Sequence, residues 1–193
     1  MDNTIPTGEK GSFFMKVCII GDGGVGKTSL IERLVGKGFH STYVITIGAD
    51  ITTYTTVIDG ELCRFQFWDL AGQQRFNAVR TLYYRGSHGG ILVFDRTRPV
   101  SLANLEHWKK ELFRFVGHEI PIMILGNKCD LKNNIDPVLL KEFIQRSESD
   151  YPMNTWEIPY LDTSAKTGQG IPLAFEVIGR SIRKFNENYS IID

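Results

Sequence analysis

Cysteine is scarce in this chain, and its three thiols, Cys18, Cys63 and Cys129, lie far apart without metal-type spacing. An odd, scattered set argues against a disulfide framework and has no metal-type spacing, so reduced thiols of a cytoplasmic protein are expected. Charge of either sign is equally without surplus, since 22 basic side chains face 22 acidic ones. No global field then draws the protein to nucleic acid or to an anionic surface. The four histidines are dispersed and form no ligand pattern. Apolar runs stop well short of a membrane span, and residues 1–12 are too polar for a signal peptide. Neither repeats nor low-complexity tracts occur. What remains, at 193 residues, is one domain with room for a substantial core. The expected division is a flexible arm over 1–12, the folded domain over 13–186 and a short tail over 187–193.

One stretch stands out against this plain background. Gly21, Asp22, Gly23, Gly24, Val25, Gly26, Lys27 and Thr28 spell a glycine-rich loop ending Gly-Lys-Thr, with Ser29 next. Before it, Phe14 to Ile20 is an apolar, β-branched run; after it, Ser29 to Val35 has apolar residues at helical spacing. Strand, loop and helix in that order make a phosphate-binding loop. Glycine lets the backbone curl so that successive N–H groups face phosphate oxygens, and the new helix adds its positive end. Lys27 is expected between β- and γ-phosphate oxygens, and the Thr28 hydroxyl on Mg²⁺.

The rest of the chain alternates strand and helix. Ile51–Ile58 and Leu62–Trp68 read as a hairpin closed by Asp59-Gly60. Gly90–Phe94 and Ile120–Leu125 are short and wholly apolar, as buried parallel strands are. Ile158–Leu161 is the expected last strand. Leu102, Leu105, Trp108, Leu112 and Phe115 mark one face of a helix for which Ser101 is the expected cap. Asp136-Pro137 opens another helix, and Ile171, Phe175, Ile178, Ile182 and Phe185 stripe the last one. These stripes read as core. The fold class is α/β: a doubly wound, mostly parallel six-stranded sheet with one antiparallel edge strand and helices on both faces. Ligands in such sheets sit at the carboxyl ends of the strands.

Three further polar motifs follow predicted strands. Asp69, at the end of the hairpin's second strand, can hold Mg²⁺ through water; Gly72 can offer its N–H to a γ-phosphate, and the Gln73 amide can orient an attacking water. In Asn127-Lys128-Cys129-Asp130, a carboxylate accepting from a base amide and exocyclic amine selects guanine over adenine. Thr163-Ser164-Ala165-Lys166 can present backbone N–H groups to the base carbonyl.

From about Phe14 to Phe185 these residues resemble the Ras superfamily of small GTPases, and within it the Rab family. Matching segments are Tyr43 to Gly48, Phe65 to Gly72, Gln73 to Phe76, Tyr83 to Gly86 and Leu92 to Asp95. The resemblance implies the P-loop NTPase small G domain and a GTP/GDP-dependent switch that hydrolyses GTP slowly with Mg²⁺. It makes Thr46 the switch threonine completing the Mg²⁺ shell, packs Phe39 edge-on to the guanine and closes Tyr43 over the phosphates. Gln73 and Lys27 are the catalytic pair it implies. Effectors, exchange factors and GTPase-activating proteins would read residues 43–51 and 70–84. Membrane traffic or signalling is the implied setting, and a monomer the implied state. The other readings of the motifs are a nucleotide-binding scaffold that never cycles and a P-loop kinase or ATPase, against which Asn127 and Asp130 argue.

The chain departs from the Rab pattern at several places. Ile51 stands where Phe is usual, leaving Trp68 and Tyr83 from the aromatic cluster of the effector surface. Leu70 replaces the usual Thr, and Gln74 replaces a Glu that assists exchange factors. Residues 147–158 form a longer connection than the family has. The sequence ends without the terminal cysteine used for prenylation and does not begin Met-Gly, so no direct lipid anchor is expected and recruitment to membranes would go through partners.

Overall fold

The structure is a computed structural model and describes residues 12–38, 46, 48–72, 82–149, 151 and 157–189. Phe39, Tyr43, Gln73 and Gln74 lie outside the described residues. In chain order the elements are β1 (Phe13–Ile20), α1 (Lys27–Leu34), β2 (Ala49–Ile58), β3 (Glu61–Leu70), β4 (Gly89–Asp95), α2 (Pro99–Ala103), α3 (Leu105–Val116), β5 (Ile122–Asn127), α4 (Pro137–Ser149), β6 (Tyr160–Asp162) and α5 (Ile171–Tyr189). One six-stranded sheet has the order β2-β3-β1-β4-β5-β6. Every neighbouring pair is parallel except the edge pair β2–β3.

Period-two alternation along the strands divides the core into two layers. Met15, Val17 and Ile19 of β1 join Phe65, Phe67, Ile91, Val93, Met123 and Leu125 under α1 and α5. Cys18 and Ile20, one residue out of step, join Leu92, Phe94, Ile122 and Ile124 under α2, α3 and α4. Strands β4 and β5 are buried along their whole length, which is why they read as continuous apolar runs. Each such Leu, Ile or Phe contributes about 1.5–3 kcal/mol through burial. The Asp59-Gly60 turn has both φ angles positive, 51° and 80°, as a two-residue type I′ hairpin requires.

Several boundaries differ from those expected. Strand β5 starts at Ile122 because Pro121 has no N–H to give; its carbonyl accepts from Gly90 N at 2.9 Å. Strand β6 begins at Tyr160, since the Ile158 N–H donates to Glu148 Oε1 at 3.0 Å instead of to a strand. Ser101 is not a cap. It lies inside α2, fully buried, where its hydroxyl donates to the Arg98 carbonyl (2.7 Å) and accepts from Asp95 N (3.0 Å). The apolar stripe it was expected to introduce is broken at Asn104 into two helices. Asp136 does cap α4, its Oδ1 accepting from Val138 N at 2.8 Å. In the long 147–158 connection, Ser147 and Ser149 belong to α4, and buried Tyr151 donates its hydroxyl to Ile120 O at 2.7 Å.

Candidate functional site

The predicted motifs gather at the carboxyl edge of the sheet because β1, β3, β4, β5 and β6 all end there. Register places Ile19 beside Asp69, and Asp95 beside Asn127. The loop between β1 and α1 owes its curl to two glycines that could carry no side chain. A Cβ on Gly21 would lie 2.2 Å from the Val93 carbonyl oxygen, and one on Gly26 2.3 Å from Asn127 Nδ2. Gly26 also takes the left-handed conformation, φ 100°, from which α1 begins.

Buried Lys27 turns back over this loop and donates to the carbonyls of Gly21 (2.8 Å) and Asp22 (3.0 Å). The next three carbonyls are held from outside: Gly23 by Arg98 (3.0 Å), Gly24 by Lys128 (2.9 Å) and Val25 by Asn127 (2.8 Å). In a peptide unit the C=O and N–H point opposite ways, so these bonds turn the following N–H groups toward the concave side. That is a cradle for an anion with several oxygens. Gly72 rests directly on it. A Cβ there would come within 2.6 Å of Gly21 O, Asp22 C and Gly23 N.

Beside the loop, Thr28, Thr46 and Asp69 come together. The Thr28 hydroxyl donates to Asp69 Oδ2 and lies 3.1 Å from Thr46 Oγ1, which is 3.5 Å from the same carboxylate oxygen. Asp69 is 1 % exposed, and its Oδ1 has no hydrogen-bond partner among the described residues. Burial pushes this carboxyl above the usual range, against the pull of Lys27 and the Thr28 bond. A buried carboxylate with Oδ2 on two threonine hydroxyls and Oδ1 left over fits a small hard cation that keeps several waters and shares phosphate oxygens. Among the described residues no group of three His, Cys, Asp or Glu could hold a metal.

The base-side motifs mostly brace one another. Asn127 gives Nδ2 to Val25, and its Oδ1 accepts from Ala165 N at 3.2 Å and Thr163 Oγ1 at 3.4 Å. The Ala165 N–H expected on a base carbonyl is thus directed at Asn127, and Asn127 ties the phosphate loop to the β6 loop. Asp130 is exposed, and its Oδ1 accepts from Ser164 Oγ at 2.6 Å. Lys128 takes a left-handed φ of 66°, which lets its amine reach both Gly24 and Asp95. Lys166 is exposed, and Ser29 lies in the first turn of α1.

Some contributors had been given no role from the sequence. Asp95 is 1 % exposed and its Oδ2 pairs with Lys128 Nζ (2.7 Å) and Arg98 Nε (3.2 Å). Burial opposes its ionisation most strongly, but bonds from Lys128 and Thr97 outweigh that and hold the carboxyl below its usual value. Its place at the end of a buried strand was the signal. Trp108 read as core, yet its indole N–H reaches Asp22 Oδ1 at 2.8 Å, and Asn104 Nδ2 reaches Asp22 Oδ2 at 2.8 Å. Away from the loop, the Trp68 and Tyr83 rings sit 5.4 Å apart, and half-exposed Ile51 pairs with Trp68 across β2–β3.

A glycine-rich loop that cradles an anion at the carboxyl edge of a doubly wound sheet, with Asp69 on one side and Asp130 on the other, defines a P-loop nucleotide-binding domain. The family model described as Ras family matches residues 16–184. Among similar proteins is Ras-related protein Rab-13 of Rattus norvegicus, 38% identical over 167 residues that cover 86% of this chain and 79% of the relative. Rab-13 of Bos taurus is similar to the same degree, 38% over 167 residues. The chain belongs to the Ras family: it is a Rab-like small GTPase, which binds guanine nucleotide and hydrolyses GTP to GDP and phosphate.

Proposed function

We propose that this protein is a Mg²⁺-dependent GTP/GDP switch whose hydrolysis is slow until a partner accelerates it. The observation that supports this best is the contact of Gly72 with the Asp22–Gly23 peptide, beside the Thr28–Thr46–Asp69 cluster. Through it, segments on both sides of β2–β3 meet the phosphate cradle and can respond to a γ-phosphate. Thr28, Thr46 and Asp69 are the residues that would hold Mg²⁺, which when bound neutralises charge on phosphate oxygens. Lys27 and the loop N–H groups bind the phosphates and are fixed before reaction, so little reorganisation is needed. Gln73 orients the attacking water. Asp130, set by Ser164, reads the base. An arginine supplied by an activating partner would add roughly 10³–10⁵ in rate.

Residues 43–51 and 70–84 are the segments that effectors, exchange factors and activating proteins read, with Trp68 beside them. The protein works as a monomer in the cytoplasm and peripherally at membrane surfaces, in traffic or signalling; nucleic acid is not a partner. Among the described residues no helix is long and apolar enough to cross a membrane. Phosphate release by purified protein given Mg²⁺ with GTP or ATP tests the assignment. Slow, sustained release from GTP alone is expected. Tight GTP binding without turnover would establish a scaffold that does not cycle, and equal turnover of ATP would remove the guanine assignment.

A further inference from the structure

Asp22 belongs to the phosphate loop, yet both its carboxylate oxygens are engaged from the helical layer. Oδ1 accepts from the Trp108 indole N–H and Oδ2 from Asn104 Nδ2, each at 2.8 Å. One residue on, the Gly23 carbonyl accepts from Arg98 at 3.0 Å. Trp108 is 5 % exposed and anchored in the core beneath α3, so its N–H is a fixed point. Arg98 is fixed too, by the buried Asp95 carboxylate that it shares with Lys128. The peptide between Asp22 and Gly23 is therefore gripped from two sides. Outside are Trp108, Asn104 and Arg98; inside is Gly72, whose Cα sits so close that a Cβ would be 2.5 Å from Asp22 C.

We propose that Arg98, Asn104 and Trp108 are positioning residues for the nucleotide: together they hold the Asp22–Gly23–Gly24 backbone in the plane that aims its N–H groups at phosphate. The bond from Arg98 fixes the Gly23 carbonyl outward and hence the Gly24 N–H inward. The Asp22 carboxylate stops the start of the loop from swinging away under Gly72. Glycine at 23 and 24 gives this stretch the widest backbone freedom in the loop, so without an external brace it would spend time in conformations that lose phosphate. The consequence falls on the rate of nucleotide release, because a loop that opens more often lets its ligand go more often. By the same geometry, anything that shifts α2 or α3 relative to the sheet would be felt at the phosphates, although neither helix touches them. This inference rests on the nucleotide-switch reading of the same site.

The test uses the full chain loaded with a fluorescent N-methylanthraniloyl derivative of GDP in Mg²⁺ and chased with excess GDP. Trp108→Phe keeps an aromatic ring, though a smaller one, and removes the N–H; Arg98→Ala removes the second brace and Arg98→Lys restores a cation; Asn104→Ala is exposed and tolerant. Thermal melting is measured in parallel. Trp108→Phe and Arg98→Ala should each speed release about tenfold, the size expected for one hydrogen bond to a charged group. Arg98→Lys should recover most of that loss. Combining Asp22→Ala with Trp108→Phe should be no faster than Asp22→Ala alone, since Asp22→Ala already removes the Trp108 bond along with that from Asn104. Release within twofold of wild type in Trp108→Phe and Arg98→Ala, whatever their melting temperatures, would reduce these residues to packing and overturn the proposal. Should Trp108→Phe fail to fold, Arg98→Ala and Asn104→Ala decide by the same criterion. Wild-type protein that does not hold the labelled GDP at all would instead overturn the nucleotide-switch reading.

Discussion

Asp130 depends on a neighbour for its orientation, which makes its role open to a clean substitution. The Ser164 hydroxyl, itself buried, donates to Oδ1 at 2.6 Å and leaves the carboxylate facing out beside the Asn127 loop. Asp130→Asn keeps shape while exchanging an acceptor for a donor, so guanine's amide and amine lose their partner. GTP affinity should fall by about tenfold to a hundredfold, as for loss of a charge-assisted hydrogen bond, and xanthosine triphosphate should gain. Competition binding with the two nucleotides checks it; an unaltered preference for GTP would remove Asp130 from base recognition. His88 offers a second single-residue prediction, on stability. Its Nδ1 accepts from Lys16 N at 2.9 Å, a bond available only to the neutral ring. Burial, with the Lys16 charge adding to it, lowers the His88 pKa below the ordinary value of 6.5. The unfolded chain therefore binds the proton more readily than the folded one. Stability is complete above pH 6.5 and declines as pH falls through the lowered value. Urea midpoints between pH 7.5 and 5 should drop less steeply in His88→Asn, whose side-chain oxygen accepts the same bond without titrating. Parallel slopes in the two proteins would show that His88 does not carry this dependence.

Helix α5 meets the β2–β3 hairpin through a contact that sets two element-scale effects against each other. Gly179 lies within the helix, where Ala would ordinarily add about 0.5–1 kcal/mol of stability. A Cβ there, however, would lie 2.5 Å from Ile58 Cδ1 and 2.8 Å from Phe65 Cζ. The isoleucine tip can turn away, but Phe65 is fully buried and stacked on Phe67 at 5.2 Å, so it has nowhere to retreat. Overpacking wins, and Gly179→Ala should destabilise the protein by about 1–2 kcal/mol in equilibrium urea unfolding. A gain in stability would mean that α5 is free to shift on the hairpin. The same contrast between local pattern and packed neighbour governs what could be read from the sequence. Strands β4 and β5 and the phosphate loop were legible because continuous β-branched runs and glycine spacing are local properties. Ends were less so: β6 starts at Tyr160 because Glu148, on another element, takes the Ile158 N–H. Ser101 resembled a cap because a serine before an apolar stripe usually is one, whereas the Arg98 carbonyl and the Asp95 N–H claim it inside α2. Trp108 fits its apolar stripe and also bonds Asp22; hydrophobic periodicity registers the ring and is blind to the N–H. Arg98 and Asp95 lie three residues apart and pair locally, but they contribute through Gly23 and Lys128 on other loops, which no spacing along the chain encodes.

At the scale of the whole molecule, the site is where five of the six strands deliver their ends, and its loops are bonded to one another. Asn127 links the phosphate loop to Ala165, Asp95 links Lys128 to Arg98, and Asp69 links β3 to Thr28. A ligand that occupies this edge contacts elements from both core layers, so its binding energy must be lost when either layer unfolds. Nucleotide binding is then linked to global stability and not to the order of one loop. At a free ligand concentration a thousand times the dissociation constant, a ligand specific to the native state adds about 4 kcal/mol. For a chain of this length each kcal/mol moves the melting temperature by about 2–4 °C. Saturating GDP with Mg²⁺ should therefore raise the melting temperature of nucleotide-free protein by about 8–16 °C. ADP with Mg²⁺ at the same concentration should leave it within a degree or two, because Asp130 finds no pair of donors on adenine. Chelating the metal from the GDP complex should remove part of the shift, since Asp69 Oδ1 would again be buried without a partner. Differential scanning calorimetry reads all three arms on one sample. A rise with ADP as large as with GDP would place the stabilisation in the phosphate cradle alone and take base recognition out of the site's coupling to the fold.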